Sequence, residues 1–276
     1  GRNLLDHYKS SSYEILQPTR KDLNLLISAD IESYLKKYSP DMVIHAAGLV
    51  GGIQANITSQ SDFFFNNVQI GLNIIMASKN YGIKNFMNLG SSCMYPRDSI
   101  NPISEESILN GELEPTNEGY ALAKISCAAL CKYINNEDNR FHYKTVIPCN
   151  LFGKYDKFNS RSSHMIPAVI RKVLEAKNVS ANNVEIWGDG TARREFMYAE
   201  DFSDFVFYAV ENFERMPKIL NVGLGFDHSI NEYYKQISDV IGYKGKFIHD
   251  LTKPIGMKQK LIDISKLRGF GWEYKT

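Results

Sequence analysis

The sequence lacks the features that mark membrane-spanning, exported or nucleic-acid-binding proteins. Its 276 residues include 32 Lys and Arg against 31 Asp and Glu, a net charge of +1, so no strong field attracts nucleic acid or a membrane surface. No apolar run is long enough to cross a bilayer, and residues 1–6 lack the apolar stretch of a signal peptide. With 43% hydrophobic residues, the composition is that of a globular chain, and we expect it in the cytoplasm.

Cysteine is scarce, and neither cysteine nor histidine shows a spacing typical of a disulfide framework or a metal site. The four cysteines, Cys93, Cys127, Cys131 and Cys149, contain no Cys-x-x-Cys pair, which fits a reducing compartment. The six histidines are scattered without a His-x-x-x-His or similar spacing. We therefore predict no metal site.

A glycine-rich phosphate loop is also missing from the start of the sequence. A doubly wound nucleotide-binding domain opens with a strand, a loop of the form Gly-x-x-Gly-x-x-Gly, and a helix whose backbone amides hold a pyrophosphate. Here Gly1 leads directly into a helix-like segment, residues 2–8, and stands where the third glycine belongs. We therefore expect that the sequence begins inside this loop, without the first strand.

Strand-like and helix-like segments alternate through the first half of the chain. The strand-like segments are 13–17, 42–47, 86–90 and 143–148, and the helix-like segments lie near 31–35, 63–77 and 120–135. This alternation predicts an α/β fold with a doubly wound parallel sheet of Rossmann type, in which 42–47 is buried on both faces. Ligands of such sheets bind at the carboxyl ends of the strands.

The segment Tyr120–Lys124 carries the clearest catalytic pattern. Tyr120 and Lys124 lie four residues apart, so they share one face of a helix that Asn117 can cap. An ammonium beside a phenol favours the phenolate, so we predict a lowered tyrosine pKa and a proton donor usable near neutral pH. Ser91 and Ser92 end a buried strand upstream and could hold a substrate oxygen. The Tyr/Lys pair alone is more often an ordinary surface pair; with the serines, the catalytic interpretation is favoured.

The second half of the chain is typical of a smaller α+β domain. It contains a helix-like segment near 166–176, a strand-like segment at 184–187 and a capping box at Ser229–Glu232. We expect a dinucleotide-binding domain over residues 1–150, to which 199–225 returns. The remaining segments, 151–198 and 226–276, are expected to form the substrate domain.

Three cations of this second half could bind a diphosphate. They are Arg194, Lys253 and Lys260, and arginine is suited to bidentate contact with phosphate. The alternative is solvated surface charge, which is the commoner role for any one of them taken alone.

Several motifs resemble those of one family. Ser91–Pro96, taken with Tyr120 and Lys124, resembles the extended short-chain dehydrogenase/reductases. A more specific resemblance, to the GDP-L-fucose synthases, covers nearly the whole chain and includes Val50–Asn56, which reads Val-Gly-Gly-Ile-Gln-Ala-Asn. The other matching segments are 113–118, 159–168, 187–196, 221–223 and 253–254.

This resemblance implies an NADPH-dependent enzyme with two activities. It would epimerise C3 and C5 of GDP-4-keto-6-deoxy-D-mannose and then reduce the C4 ketone to give GDP-L-fucose. The chemistry is coherent, because a C4 carbonyl acidifies the protons on C3 and C5. The resemblance also implies a homodimer, with no nucleic-acid or membrane partner.

The resemblance assigns roles to individual residues. Cys93 and His164 would exchange protons with the sugar ring, since thiols and imidazoles titrate close to neutral pH. Ser91 and Tyr120 would bind the ketone oxygen, and Lys124 would bind the nicotinamide ribose. Cofactor binding would use Tyr120, Lys124 and His164 together with Gly1, Arg20, Asn24, Leu25, Ala46 and Ala47, where Arg20 matches the arginine that selects the 2′-phosphate of NADP. Substrate binding would use Ser92, Asn150, Lys172, Trp187, Arg194 and Lys260.

One departure from the family pattern leaves the sugar open. The family's Lys-Pro-Asp-Gly-Thr-Pro-Arg-Lys is replaced here by Lys-Pro-Ile-Gly-Met-Lys-Gln-Lys over Lys253–Lys260. The alternative is therefore a 4-keto-reductase or epimerase acting on a related GDP-sugar, of the colitose or 6-deoxyheptose type. A dehydratase is disfavoured, because Cys93 and Met94 stand where it would need an acidic pair. A non-catalytic nucleotide-binding protein is less favoured, since all five proposed catalytic residues are present.

Overall fold

Parallel strands and the helices that cover them form most of the computed structural model, which describes residues 1–159 and 163–276. The helices in these ranges are α1 (Arg2–Asp6), α2 (Ser28–Tyr38), α3 (Ile53–Thr58), α4 (Gln60–Asn80), α5 (Glu118–Glu137), α6 (Met165–Asn178), α7 (Ala199–Glu211), α8 (Ile230–Ile241) and α9 (Ser265–Phe270). The strands are β1 (Met42–His45), β2 (Asn85–Leu89), β3 (His142–Pro148), β4 (Asn150–Phe152), β5 (Asn183–Trp187), β6 (Arg193–Arg194), β7 (Phe196–Tyr198), β8 (Ile219–Val222), β9 (His228–Ser229), β10 (Lys246–Asp250) and β11 (Gln259–Lys260).

The central sheet has four parallel strands in the order β1-β2-β3-β8. Its register pairs Val43 with Phe86 and Val146 with Leu220. Five consecutive residues of β3, 143–147, are buried, as expected for a strand covered by helices on both faces. The predicted α/β fold with a doubly wound parallel sheet is therefore confirmed, and the carboxyl ends of these strands meet at one edge.

Helices α4 and α5 cover one face of the sheet and approach each other closely at Gly71. A Cβ atom at position 71 would lie 2.1 Å from Cys127 Sγ and 3.7 Å from His45 Nε2. Only glycine therefore allows this contact without a shift. The helices share an apolar cluster that includes Ile74, Ile75 and Cys131.

The predicted strand at 13–17 is wrong. These residues have no regular secondary structure, and all except Leu16 are exposed. A strand needs a neighbour to accept and donate its backbone hydrogen bonds, and no described residue pairs with this segment. The prediction for 42–47 is also wrong in part. Strand β1 ends at His45 and is mostly half-buried, because it pairs on one side only, with β2.

The second half surrounds the carboxyl edge of the sheet with small paired strands. β4 pairs with β7, β5 with β10, and β6 lies between β11 and β9. Ser229 caps α8 through a complete capping box with Glu232, as predicted. Helices α6 and α8 pack on β5 in an apolar cluster that includes Val173, Ile186 and Tyr234.

A buried carboxylate joins these parts to the central sheet. Glu195, fully buried between β6 and β7, accepts hydrogen bonds from the backbone N–H groups of Leu224, Gly225 and Ile262. Its own carbonyl accepts from Asn150 Nδ2 at 2.8 Å. One residue thus holds the end of β8, the segment after β11 and the start of β4 together.

Among residues 1–159 and 163–276, none of the helices has the length and apolar character needed to cross a membrane.

Candidate active site

A cleft of about 490 Å³ lies above the carboxyl edge of the sheet. Its walls come from the segment after β2, the start of α5, the start of α6, the β6–β11 pair and the loop before β11. Most of the residues predicted for catalysis and substrate binding line this cleft: Ser91, Ser92, Cys93, Tyr120, Asn150, His164, Lys172, Trp187, Arg194 and Lys260. Lys124 lies behind Tyr120 and is buried.

Cys93 sits in a short 3-10 turn, Ser92–Met94, directly after β2. The Ser91 hydroxyl caps this turn by accepting the Cys93 N–H at 3.2 Å. The sulfur is half-buried and has two polar neighbours: Asn117 Nδ2 donates to it at 3.3 Å, and Lys260 Nζ lies 3.6 Å away. Donors of this kind stabilise a thiolate, so the surroundings of Cys93 suit a group that exchanges protons.

Tyr120 and Lys124 share one face of α5, as predicted, with the ammonium 5.8 Å from the centre of the phenol ring. Lys124 Nζ donates to the Leu89 carbonyl at 2.8 Å. Burial raises the pKa of Tyr120, the nearby Cys93 adds to this, and interaction with the Ser91 hydroxyl opposes it. Burial also lowers the pKa of Lys124. The predicted lowering of the tyrosine pKa is therefore wrong in this structure, because desolvation dominates and the Ser91 hydroxyl opposes it only in part.

Asn117 does not cap α5 in the way that was predicted. It occupies the N-cap position, but its side chain accepts no hydrogen bond from the first turn. Its amide instead points to the Cys93 sulfur. Sequence reasoning missed this contact, because Asn117 stands where a cap is expected and nothing local indicates a partner 24 residues away.

His164 lies on the cleft at the N-terminus of α6. It is exposed, and its Nδ1 lies 3.6 Å from Asp156 Oδ1. The predicted motif 159–168 contains this histidine, but residues 160–162 of the motif lie outside the described residues.

The basic wall of the cleft is formed by paired strands. Arg194 on β6 and Lys260 on β11 are register partners, so their side chains lie next to each other. Arg194 Nη2 donates to the Ile255 carbonyl at 3.1 Å, and burial lowers the pKa of this guanidinium. Lys260 is buried, which disagrees with the alternative of solvated surface charge for this residue.

Lys253, the third predicted cation, does not line the cleft. It pairs with Asp250 at 3.7 Å and lies 5.9 Å from the centre of the Trp187 ring. Lys172 lies 5.6 Å from that ring, which places both cations against the same indole. The Trp187 indole N–H donates to Glu185 Oε1 at 2.9 Å.

The residues predicted to bind the adenine end of a cofactor lie apart from this cleft. Arg20 is exposed in a turn held by hydrogen bonds between Thr19 and Asp22. Asn24 Oδ1 accepts the Leu26 N–H at 3.2 Å. Leu25 is half-buried, whereas Ala46 and Ala47, after β1, and Gly1, before α1, are exposed.

Comparison with known proteins identifies the family. Residues 1–223 match the model of the NAD dependent epimerase/dehydratase family, and the chain belongs to this family. The predicted resemblance to extended short-chain dehydrogenase/reductases is thereby confirmed.

The names of several relatives describe enzymes that act on GDP-sugars. The chain is 56% identical over 276 residues to the GDP-L-colitose synthase of Yersinia pseudotuberculosis, covering 100% of this chain and 90% of that protein. It is 46% identical over 272 residues to the GDP-L-fucose synthase of Azorhizobium caulinodans, covering 99% and 87%. Among solved structures it resembles a GDP-6-OMe-4-keto-L-xylo-heptose reductase from C. jejuni, with a TM-score of 0.91 and 27% identity over 100% of this chain and 90% of that one. A GDP-mannoheptose C4 reductase from Campylobacter jejuni with NADP bound gives a TM-score of 0.87 and 26% identity, covering 100% and 90%.

Proposed function

We propose that this protein is an NADPH-dependent enzyme that epimerises a GDP-4-keto-6-deoxy sugar at C3 and C5 and reduces its C4 ketone. The proposed substrate is GDP-4-keto-6-deoxy-D-mannose and the product GDP-L-fucose. The observation that carries the proposal is one cleft lined by a thiol, an imidazole, a serine–tyrosine pair and an arginine. The names of the relatives support the GDP-sugar as substrate class.

The epimerisation step is assigned to Cys93 and His164. A base at the ring removes a proton made acidic by the C4 carbonyl, and an acid returns one on the opposite face. Ser91 and Tyr120 donate hydrogen bonds to the ketone oxygen and stabilise the enolate charge that forms there. Because burial keeps the Tyr120 phenol protonated, it is ready to act as a donor and then to give its proton to the C4 oxygen.

The residues present fit the nicotinamide end of NADPH. Lys124 is buried with one acceptor, the Leu89 carbonyl, among its described neighbours, and an ammonium has three donors. Two donors therefore remain for ribose hydroxyls. Bound NADPH supplies the hydride for C4. Arg20 would face the 2′-phosphate, and Gly1, Asn24, Leu25, Ala46, Ala47 and His164 would complete the cofactor site.

The GDP moiety is assigned to the basic side of the cleft. Arg194 would grip the diphosphate, and Lys172, Trp187 and Lys260 would line its path with Ser92 and Asn150. We further propose that residues 1–150 with 199–225 hold the cofactor, and that 151–198 with 226–276 hold the sugar nucleotide. A homodimer in the cytoplasm completes the proposal.

A second candidate is a related sugar of the colitose type. It is favoured by the 56% identity to a GDP-L-colitose synthase and by Ile255, which lines the cleft where the family pattern has an aspartate. Colitose lacks the C3 hydroxyl, so an apolar side chain such as Ile255 next to that carbon would leave no sugar hydroxyl without a hydrogen-bond partner. Identification of the product by NMR from competing GDP-4-keto sugars decides between the two.

The test of the proposal separates proton exchange from reduction. In D₂O we expect Cys93→Ser to lose most deuterium incorporation at C3 and C5, because a serine hydroxyl is a far weaker acid than a thiol. It should still consume NADPH slowly on the unepimerised ketone. Tyr120→Phe should do the opposite, exchanging deuterium while consuming little NADPH.

Cys131→Ser is the matched control, because Cys131 is buried and does not line the cleft. It should retain both activities. Deuterium exchange at the wild-type rate in Cys93→Ser would make Cys93 a packing residue, whereas no exchange in the wild type itself would leave a simple 4-keto-reductase.

A further inference from the structure

The carboxamide of Asn117 is placed at a helix start but serves no cap. Its Nδ2 donates to Cys93 Sγ at 3.3 Å. Its Oδ1 is buried and has no hydrogen-bond partner within the described ranges of the chain. An unmade cap and an unpaired buried acceptor both cost stability. Local structure therefore does not explain why Asn117 faces the sulfur.

The chemistry of a carboxamide matches that of a group that gains and loses a proton. A thiolate accepts hydrogen bonds, whereas a thiol donates one weakly. Asn117 carries a donor and an acceptor on the same rigid group, so a half-turn of the amide presents either one to the sulfur. Lys260 Nζ, 3.6 Å from the same sulfur, can only donate, and therefore suits the thiolate alone.

We propose that Asn117 is a positioning residue that holds the Cys93 sulfur in the cleft in both of its protonation states. The inference rests on the acid–base role proposed above for Cys93. Asn117 acts through that sulfur, while Ser91 fixes the backbone of the same residue. Cys93 is thereby held at its backbone by Ser91 and at its side chain by Asn117.

The first test follows the reactivity of Cys93 in the full chain. Iodoacetamide reacts with the thiolate, and the other three cysteines are buried, so mass spectrometry of the Cys93 peptide against pH reports this site. In Asn117→Asp, which has the same shape but replaces the donor with a negatively charged acceptor, we expect alkylation at pH 7 to be about tenfold slower and its rise to move to higher pH. A charge-assisted hydrogen bond accounts for a factor of that order.

Two further variants control this experiment. Glu118→Gln changes the next residue, an exposed one in the first turn of α5, and should keep the wild-type profile. Asn117→Ser has a donor and an acceptor on a shorter side chain and should recover part of the reactivity, which also keeps the test decisive if Asn117→Asp does not fold. A wild-type alkylation profile in the folded Asn117 variants overturns the proposal.

Deuterium exchange at C3 and C5 separates this proposal from the proposed function. If the wild type exchanges deuterium and Asn117→Asp exchanges it equally fast, the positioning role is wrong and the function stands. If the wild type exchanges none but the alkylation profile still shifts, the proposed function is wrong and the hold of Asn117 on the sulfur stands. Loss of both exchange and alkylation in Asn117→Asp supports the two together.

Discussion

His45, the last residue of β1, is a buried histidine whose ring interacts electrostatically with Lys124. Its exposed fraction is 5%, and burial lowers its pKa to about 3, with the charge of Lys124 adding to the shift. The folded protein therefore holds His45 neutral at every pH near physiological. A second cation next to Lys124 would also repel it, so neutrality at this position protects the ammonium.

The stability of the protein should depend on pH through this residue. An unfolded histidine binds a proton below about pH 6.5, whereas folded His45 does so only near pH 3. The unfolded state thus binds more protons in this window, and the free energy of unfolding falls as the pH is lowered, by up to about 1.4 kcal/mol per pH unit. Urea unfolding of His45→Gln from pH 7 to pH 4 should show a shallower dependence than the wild type.

The exposed His142 supplies the control, since His142→Asn should keep the wild-type dependence on pH. Equal slopes in His45→Gln and the wild type would show that His45 is protonated in the folded protein.

Single residues also show where sequence reasoning stops. Ser91, Tyr120 and Lys124 could be predicted because they lie at a strand end and at helical spacing, Cys93 followed from the family resemblance, and the structure brings them together. Charge alone groups Lys253 with Arg194, but the direction of the Lys253 side chain is set by its contacts with Asp250 and Trp187. The contact of Asn117 with Cys93 depends on how α5 meets the end of β2, which no short pattern encodes.

At the scale of elements, the long apolar helices and the buried strands are the elements that the sequence predicts best. α4, α5, β2 and β3 have repeating apolar positions over several turns or a buried run, and all are found near the predicted bounds. The segment 13–17 has the same local composition as a strand but no strand beside it, so composition alone misled. Strand pairing joins segments that are distant in sequence, so the sequence of one segment alone does not show whether a partner strand lies beside it.

The close contact of α4 with α5 leads to a prediction at this scale. In Gly71→Ala the new methyl group would lie 2.1 Å from Cys127 Sγ. Although alanine favours helix by about 1 kcal/mol over glycine, overpacking of this kind costs about 1–3 kcal/mol. We expect a net loss in the free energy of unfolding in urea. The double variant Gly71→Ala, Cys127→Ala should recover most of it, because the sulfur is removed.

Gly269→Ala, in α9, is the control for glycine replacement in a helix. A Cβ atom at position 269 meets nothing within 4 Å, so Gly269→Ala should show only the helix preference of alanine and gain up to about 1 kcal/mol in the free energy of unfolding. A Gly71→Ala variant as stable as Gly269→Ala would mean that α4 and α5 separate easily.

At the scale of the whole molecule, Glu195 connects the central sheet to the strands around the cleft. Its carboxylate accepts three backbone N–H groups from two segments. In Glu195→Gln, one carboxylate oxygen is replaced by an NH₂ group, which donates hydrogen bonds and would face backbone N–H groups that also donate. We expect a loss of about 2–3 kcal/mol in the free energy of unfolding, from buried groups left unpaired.

The two tryptophans report on this connection separately. Trp187 lies on β5, and Trp272 is buried against Phe205 in the large core. In variants that keep one tryptophan each, fluorescence midpoints in urea should coincide in the wild-type background. With Glu195→Gln added, the Trp187 midpoint should fall further than the Trp272 midpoint. The exposed Glu32→Gln should move neither; equal shifts of both in Glu195→Gln would contradict the connecting role.

The pairing of β6 with β11 places Arg194 and Lys260 side by side. This arrangement should affect how long the protein survives proteolysis in a cell. Two neighbouring cations repel each other until an anion lies between them, so a diphosphate that binds there also strengthens the fold. Ligand at 100 times its dissociation constant adds about 2.7 kcal/mol to the free energy of unfolding, and proteases attack the unfolded chain. The half-life of the protein under protease digestion should therefore lengthen with GDP and stay unchanged with guanosine. Supply of the sugar nucleotide would then set how long each copy of its own enzyme survives.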